Sequence, residues 1–161
     1  MKLTQQEEIG LRCMIQMARM PRGDPLSIPE IAEQEALTTA YVAKLMRLLR
    51  LDGLVQSIRG QKGGYELTRA PEAIPVSEIL AALGQPVHRP EVCRNDAVGG
   101  RACVHQKNCS IRALRWGIDR LVGELMSQCT LADLLAGERA VKRRLKAHID
   151  GRGAKARPTR R

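Results

Sequence analysis

Apolar and polar positions along the first half of the chain repeat with the period of short amphipathic helices. Ile9, Cys13 and Met17 recur every four residues and mark one helical face. Ahead of them, Thr4-Gln5-Gln6-Glu7 has the form of a capping box, in which the threonine hydroxyl accepts from the amide three residues on and the glutamate reaches back. Pro21, Gly23, Asp24 and Pro25 end this first helix. Ser27-Ile28-Pro29-Glu30 repeats the start signal and opens a short helix through Ile31, Ala32 and Gln34. A third helix follows quickly. Thr38 or Thr39 caps it, Val42, Leu45, Met46 and Leu49 form its inner stripe, and Asp52-Gly53 closes it.

The period then changes to that of strands. Leu54 to Ile58 and Tyr65 to Thr68 predict two short strands joined by a turn over Arg59 to Gly64. Ser77 caps a further short helix through Glu78, Ile79, Leu80 and Leu83, which Gly84 and Pro86 terminate. From Gln85 to Ser110 periodicity is lost and three cysteines appear, which predicts a loop. A long amphipathic helix is expected from about Ile111 to Gln128, with Ile111, Leu114, Ile118, Leu121, Val122 and Leu125 along one side, and that stripe needs a partner surface. Thr130-Leu131-Ala132-Asp133 restarts a short helix ending near Gly137. The order of elements predicts a mainly α chain with one small β-hairpin.

Composition sharpens this picture at two points. Only two tyrosines and one tryptophan supply aromatic rings and phenylalanine is absent, so the core must be aliphatic. The formal net charge of +10 points to a polyanion, either nucleic acid or an anionic membrane surface. The last residues, Gly151 to Arg161, carry five cations and no acid, and are expected to form an irregular basic tail that attracts phosphate non-specifically. The first residues lack the apolar core of a secretory signal, and no apolar run reaches membrane-spanning length, so a cytoplasmic location and no membrane partner are expected. Five cysteines in that compartment suit ligands, redox sensors or buried small hydrophobes better than structural disulfides.

Two short helices joined by a tight turn and followed by a glycine-rich basic hairpin fit a winged helix-turn-helix, whose second helix enters the major groove of double-stranded DNA. Thr38, Thr39 and Tyr41 lie at the N-terminal end of that helix, and Lys44, Arg47 and Arg50 lie off its apolar stripe. On the hairpin, Arg59, Gly60 and Lys62 place cations where glycine permits close approach to a sugar-phosphate backbone. These nine residues are the candidate DNA contacts. An ordinary solvated cationic face is the competing explanation for Lys44, Arg47 and Arg50.

Cys93, Cys103 and Cys109 share the loop, with gaps of nine and five residues between them. A structural zinc site usually draws on pairs of ligands spaced two residues apart, which makes zinc the second choice of metal. An iron-sulfur cluster needs thiolates spread around a larger object, and Gly99 and Gly100 allow the loop to wrap. A metal-free thiol–disulfide switch between two of the three cysteines is the main alternative. Cys13 and Cys129 are expected on helices as small core residues. An enzyme using Cys103 or Cys109 as nucleophile and His105 as base would need an orienting acid that the sequence does not supply, so no catalytic residues are assigned.

The stretch from Thr4 to Leu67, above all Ile28-Pro29-Glu30-Ile31-Ala32, Leu51-Asp52-Gly53-Leu54-Val55 and Arg59-Gly60-Gln61-Lys62-Gly63-Gly64-Tyr65, resembles the Rrf2 family of bacterial transcription regulators, and specifically its cluster-binding branch. The likeness continues through Val76-Ser77-Glu78-Ile79 and the cysteine loop to Thr130-Leu131-Ala132-Asp133-Leu134. It implies a homodimer formed through the Ile111 to Gln128 helix. It also implies a [2Fe–2S] or [4Fe–4S] cluster held by Cys93, Cys103 and Cys109, sensing iron–sulfur status, iron, redox state or nitric oxide. Some members place an oxygen ligand where Glu8 stands here, and others a histidine three residues after the last cysteine, a position occupied here by Arg112. Glu8, donated across the dimer, is therefore the candidate fourth ligand. Its competing role is an ion pair with Arg12, one turn on. The expected layout is a DNA-binding unit over residues 1–84, a cluster loop over 85–110, dimer and C-terminal helices over 111–140, and a basic tail over 141–161. A repressor of this kind would bind a near-palindromic operator.

Overall fold

The computed structural model describes residues 3–60, 63–84 and 109–155, with the side chains of 152–155 excepted. Cys93, Cys103, Lys62, His88 and His105 lie outside the described residues. The chain runs α1 (Gln5–Arg19), α2 (Ile28–Gln34), α3 (Thr39–Leu51), β1 (Val55–Ile58), β2 (Gly64–Leu67), a 3-10 turn (Pro71–Ala73), α4 (Val76–Leu83), α5 (Ser110–Ser127), α6 (Leu131–Leu135) and α7 (Glu138–Lys155).

Three of these helices start with reciprocal capping boxes. Thr4 with Glu7, Ser27 with Glu30, and Thr130 with Asp133 each satisfy amides that the first helical turn leaves unpaired. Thr38 rather than Thr39 caps α3, its hydroxyl accepting from the Tyr41 amide at 3.3 Å. The expectation for Ser77 is corrected. The N-cap of α4 is Pro75, which has no capping side chain, and Ser77 sits inside the first turn. An antiparallel bridge between Pro75 and Thr130 fixes this start: the Val76 amide donates to the Cys129 carbonyl at 2.8 Å and the Leu131 amide to the Ile74 carbonyl at 2.9 Å. Cys129 is correspondingly in the α5–α6 connection and not on a helix.

The core forms where the inner faces of α1 to α4 and α6 meet. Met14, Ile31, Val42, Leu45, Met46, Leu49, Ile74, Ile79 and Leu131 are completely buried in it. Methionines fill the gaps that aromatic rings would otherwise occupy. One buried charge crosses this layer. Glu35, at the C-terminus of α2, accepts from Arg12 Nε at 2.6 Å and from Gln16 Nε2 at 2.5 Å, tying α1 to the helix-turn-helix. Arg12 pairs with Glu35, and the competing role for Glu8, an ion pair with Arg12, is not seen.

The turn between α2 and α3 passes through Ala36 at φ 53°, and the Leu37 amide closes it on the Ala32 carbonyl at 2.8 Å. A left-handed conformation strains any residue with a β-carbon. Ala36→Gly is expected to raise unfolding free energy by about 0.5–1 kcal/mol, the relief of strain exceeding glycine's extra unfolded-state entropy. Urea denaturation at constant m-value measures it, and a loss of stability would show that the turn is not strained.

The segment expected to be an irregular tail is corrected as far as residue 155. Gly137 at φ 90° ends α6, and α7 begins at the next residue. Alanine, leucine, lysine and arginine dominate its first three turns and favour helix without a broad apolar face. Ala140 is buried, Leu145 packs beside Val76, Leu80 and Cys129, and Arg144 reaches Asp133 at 3.3 Å.

Candidate DNA interface and sensor helix

The inner stripe of α3 is fully buried, which leaves the opposite face to solvent. Lys44, Arg47 and Arg50 are exposed there, as are Thr38 and Thr39 at the N-terminal end. Tyr41 is half-buried and its ring packs against the core, so it offers less surface than the sequence suggests. The Thr38 hydroxyl is engaged by its cap. The α2–α3 geometry depends on the Glu35 anchor and the Ala36 turn, so the reading face rests on contacts that no DNA-facing residue makes.

The wing is an antiparallel hairpin with Val55 opposite Leu67 and Ile58 opposite Gly64. Arg59 and Gly60 stand exposed at its tip, and Gly60 has φ 127°, a conformation that favours glycine. A reciprocal pair of 2.9 Å bonds between Leu26 and Tyr65 docks β2 on the α1–α2 connection. Gly64 is required for this approach, since a β-carbon would lie 2.7 Å from the Leu26 carbonyl. Wing and reading helix are therefore held in one frame.

The cysteines divide into two environments. Burial, followed by the Glu35 charge, pushes the Cys13 thiol up to about 11, and burial also raises that of Cys129. Both are poor thiolates and fit core packing. Cys109 is half-buried, unpaired by any disulfide, and is itself the N-cap of α5: its sulfur accepts from the Arg112 amide at 3.4 Å. Among the described residues this is the one cysteine whose setting fits a cluster ligand. Glu8 is exposed on α1, and no hydrogen bond or ion pair of its side chain occurs among the described residues. No group of three metal-ligating side chains comes together among the described residues, and Cys93 and Cys103 lie outside them.

Beyond Cys109, α5 has no buried residue. Ile111, Leu114, Ile118 and Leu121 are between 47% and 70% exposed along one face. The opposite face carries Arg115–Asp119 and Arg120–Glu124 ion pairs, with the Arg120 guanidinium 5.4 Å from the centre of the Trp116 ring. A helix polar on one face and bare and aliphatic on the other lacks a partner surface for its apolar side.

Comparison with known proteins settles what this architecture belongs to. Residues 3–137 match the family model described as Rrf2, iron-dependent transcriptional regulator. The chain belongs to the Rrf2 family. Protein rrf2 of Nitratidesulfovibrio vulgaris is 32% identical over 136 residues, covering 84% of this chain and 87% of that protein. The solved structure of CymR, described as the global cysteine regulator of Bacillus subtilis, superposes with a TM-score of 0.66 at 30% identity, covering 84% of this chain and 97% of that one. IscR of T. potens superposes with a TM-score of 0.65 at 26% identity, covering 84% and 87%. The Rrf2 chain described here is accordingly a winged-helix transcriptional regulator and not an enzyme. Among its described residues no helix is long and apolar enough to cross a membrane.

The Rrf2 relationship also marks what sequence reasoning missed. Neither the Arg12–Glu35 anchor nor the capping role of Cys109 follows from local spacing, because one spans 23 positions and the other uses a residue type that rarely caps helices.

Proposed function

We propose that this regulator acts as a homodimer through α5 and that an iron–sulfur cluster on Cys93, Cys103 and Cys109 controls its affinity for a near-palindromic double-stranded operator. The observation that carries this reading is the position of Cys109, which caps the first turn of α5, the helix whose apolar face is exposed. Bound there, [2Fe–2S] or [4Fe–4S] supplies soft iron that responds to iron supply, oxygen or nitric oxide. Glu8 of the partner subunit completes the ligand set. Thr38, Thr39, Tyr41, Lys44, Arg47 and Arg50 address the major groove, while Arg59, Gly60 and Lys62 follow the backbone beside it. The protein acts in the cytoplasm, and occupancy of the sulfurs changes DNA affinity only as far as the two dimer geometries differ in ligand binding.

The likeness to CymR favours a second reading, in which two of the loop thiols form a reversible disulfide without metal. Anaerobic purification separates the two. The cluster reading expects a coloured protein containing iron and sulfide, colour lost in Cys93→Ala, Cys103→Ala and Cys109→Ala but kept in Cys13→Ser and Cys129→Ser. Glu8→Ala is expected to shorten the cluster's lifetime in air. A colourless protein with reversible loss of two thiols would favour the disulfide, and equal loss from all five cysteine variants would remove the ligand assignment.

A further inference from the structure

The positive charge of this chain is not spread over the regulator. Residues 138–161 hold ten Lys or Arg and two acids, against a formal net charge of +10 for all 161 residues. The match to the family model ends at residue 137, so this cationic segment lies outside the matched unit. Its helical part, α7, begins at the very next residue.

Helix α7 is docked. On its inner side, Ala140 is buried and Leu145 packs beside Val76, Leu80 and Cys129. Arg144 reaches Asp133 at 3.3 Å. Burial opposes ionisation of Asp133, but the Thr130 amide and hydroxyl and the Arg144 guanidinium outweigh it and hold the carboxyl below its usual range. On the outer side, Arg139, Lys142, Arg143 and Lys146 follow one another at helical intervals of three, one and three residues, and all four are exposed. Glu138 pairs with Lys142, and Asp150 follows one turn after Lys146. Arg139, Arg143 and Lys146 have no ion-pair partner among the described residues. The row extends over roughly 10 Å of helix.

We infer that the outer face of α7 is a second phosphate-binding surface, which holds the backbone of double-stranded DNA in addition to the contacts of α3 and the wing. A row of exposed cations on a docked helix complements a polyanion, and contacts of this kind with phosphate hold a duplex without specifying its sequence. A lipid surface fits less well, because a helix lying in a membrane interface must bury its apolar side in lipid, whereas Leu145 and Ala140 are turned to the protein. Duplex DNA is favoured over RNA because the same chain carries a DNA-reading head. This inference rests on the proposed DNA-binding function and adds sequence-independent affinity to it.

The test uses the full chain with Arg139→Gln, Lys142→Gln, Arg143→Gln and Lys146→Gln combined. Binding to a random-sequence duplex is followed against salt. Each phosphate contact contributes about 0.9 to the slope of log K against log[salt], so the slope is expected to fall by about 2–4 and affinity at physiological salt by tenfold or more. A charge-conserving variant, with arginine and lysine exchanged at the four sites, is expected to keep the slope, and circular dichroism checks that both variants retain their helix. Should the fourfold variant fail to fold, Arg143→Gln and Lys146→Gln singly are each expected to lower the slope by about 0.9. An unchanged slope overturns the inference, as does a loss confined to single-stranded RNA or to vesicles containing phosphatidylserine. Arg59→Ala distinguishes the two levels. If it weakens duplex binding while the α7 variants do not, the second surface alone is wrong; if the wild-type chain binds no duplex, both readings fall.

Discussion

Leu114→Glu combined with Leu121→Glu is expected to give a folded monomer whose operator affinity is at least about a hundredfold lower, because two tethered reading heads gain about 10²–10⁴ over one. Both leucines are exposed in the isolated chain, at 62% and 57%, so the charges cost little within the subunit. In a dimer formed through this face the new carboxylates would enter an apolar interface, and unpaired buried charge is costly. Sedimentation velocity reads the assembly and fluorescence anisotropy the binding. A variant that remains dimeric would show that the subunits associate through some other face, and would remove α5 from the regulatory reading.

Two neighbours on α3 are expected to behave in opposite ways. Leu49 is fully buried against the core, whereas Arg50 is exposed. Leu49→Ala is expected to destabilise the domain by about 3–4 kcal/mol, the sum of lost transfer energy and a cavity that close packing cannot fill. Against a typical unfolding free energy of about 5–15 kcal/mol, that is a large part of the whole. DNA binding is expected to weaken with it, although Leu49 faces away from any duplex. Arg50→Gln is expected to leave stability within about 0.5 kcal/mol and to lower the salt slope by about 0.9 if it meets a phosphate. Thermal denaturation and salt titration of the two variants separate the frame from the contacts. Equal stability of both would mean that α3 is not held by its inner stripe.

The elements legible in the sequence are those whose signals are local. Thr4/Glu7 and Ser27/Glu30 mark helix starts at fixed offsets, and the Val42, Leu45, Met46, Leu49 stripe reports an inner face directly. The hairpin strands fall within one residue of expectation at each end, because a change of hydrophobic period and a glycine-rich turn bound them. What was not legible depends on distance along the chain or on competition. Glu8 is the obvious local partner of Arg12, yet Glu35 wins because it is buried and also receives Gln16. The start of α4 is set by the bridge from Pro75 to Thr130, 55 positions away, not by Ser77. In α7 so many positions are cationic that the inner contacts at Ala140 and Leu145 leave little periodic signal, and the glycines at 151 and 153 suggest a coil. At the candidate sites, Lys44, Arg47, Arg50, Arg59 and Gly60 are exposed, as their places off the apolar stripe and on the glycine-rich turn predict, while Tyr41 and Thr38 also serve the fold.

The sulfur of Cys109 closes the first turn of α5, and this has a thermodynamic corollary. Any reagent that engages that sulfur competes with the Arg112 amide for it, and so bears on whether the helix end is ordered or frayed. Reciprocity then applies to reversible binding: whatever steadies the end of the helix from outside must alter the affinity of the sulfur for that reagent by the same free energy. If two subunits associate along α5 as proposed, that association and reversible ligation of Cys109 are coupled in both directions, and the affinity of the thiol for a thiol-binding metal ion should depend on protein concentration.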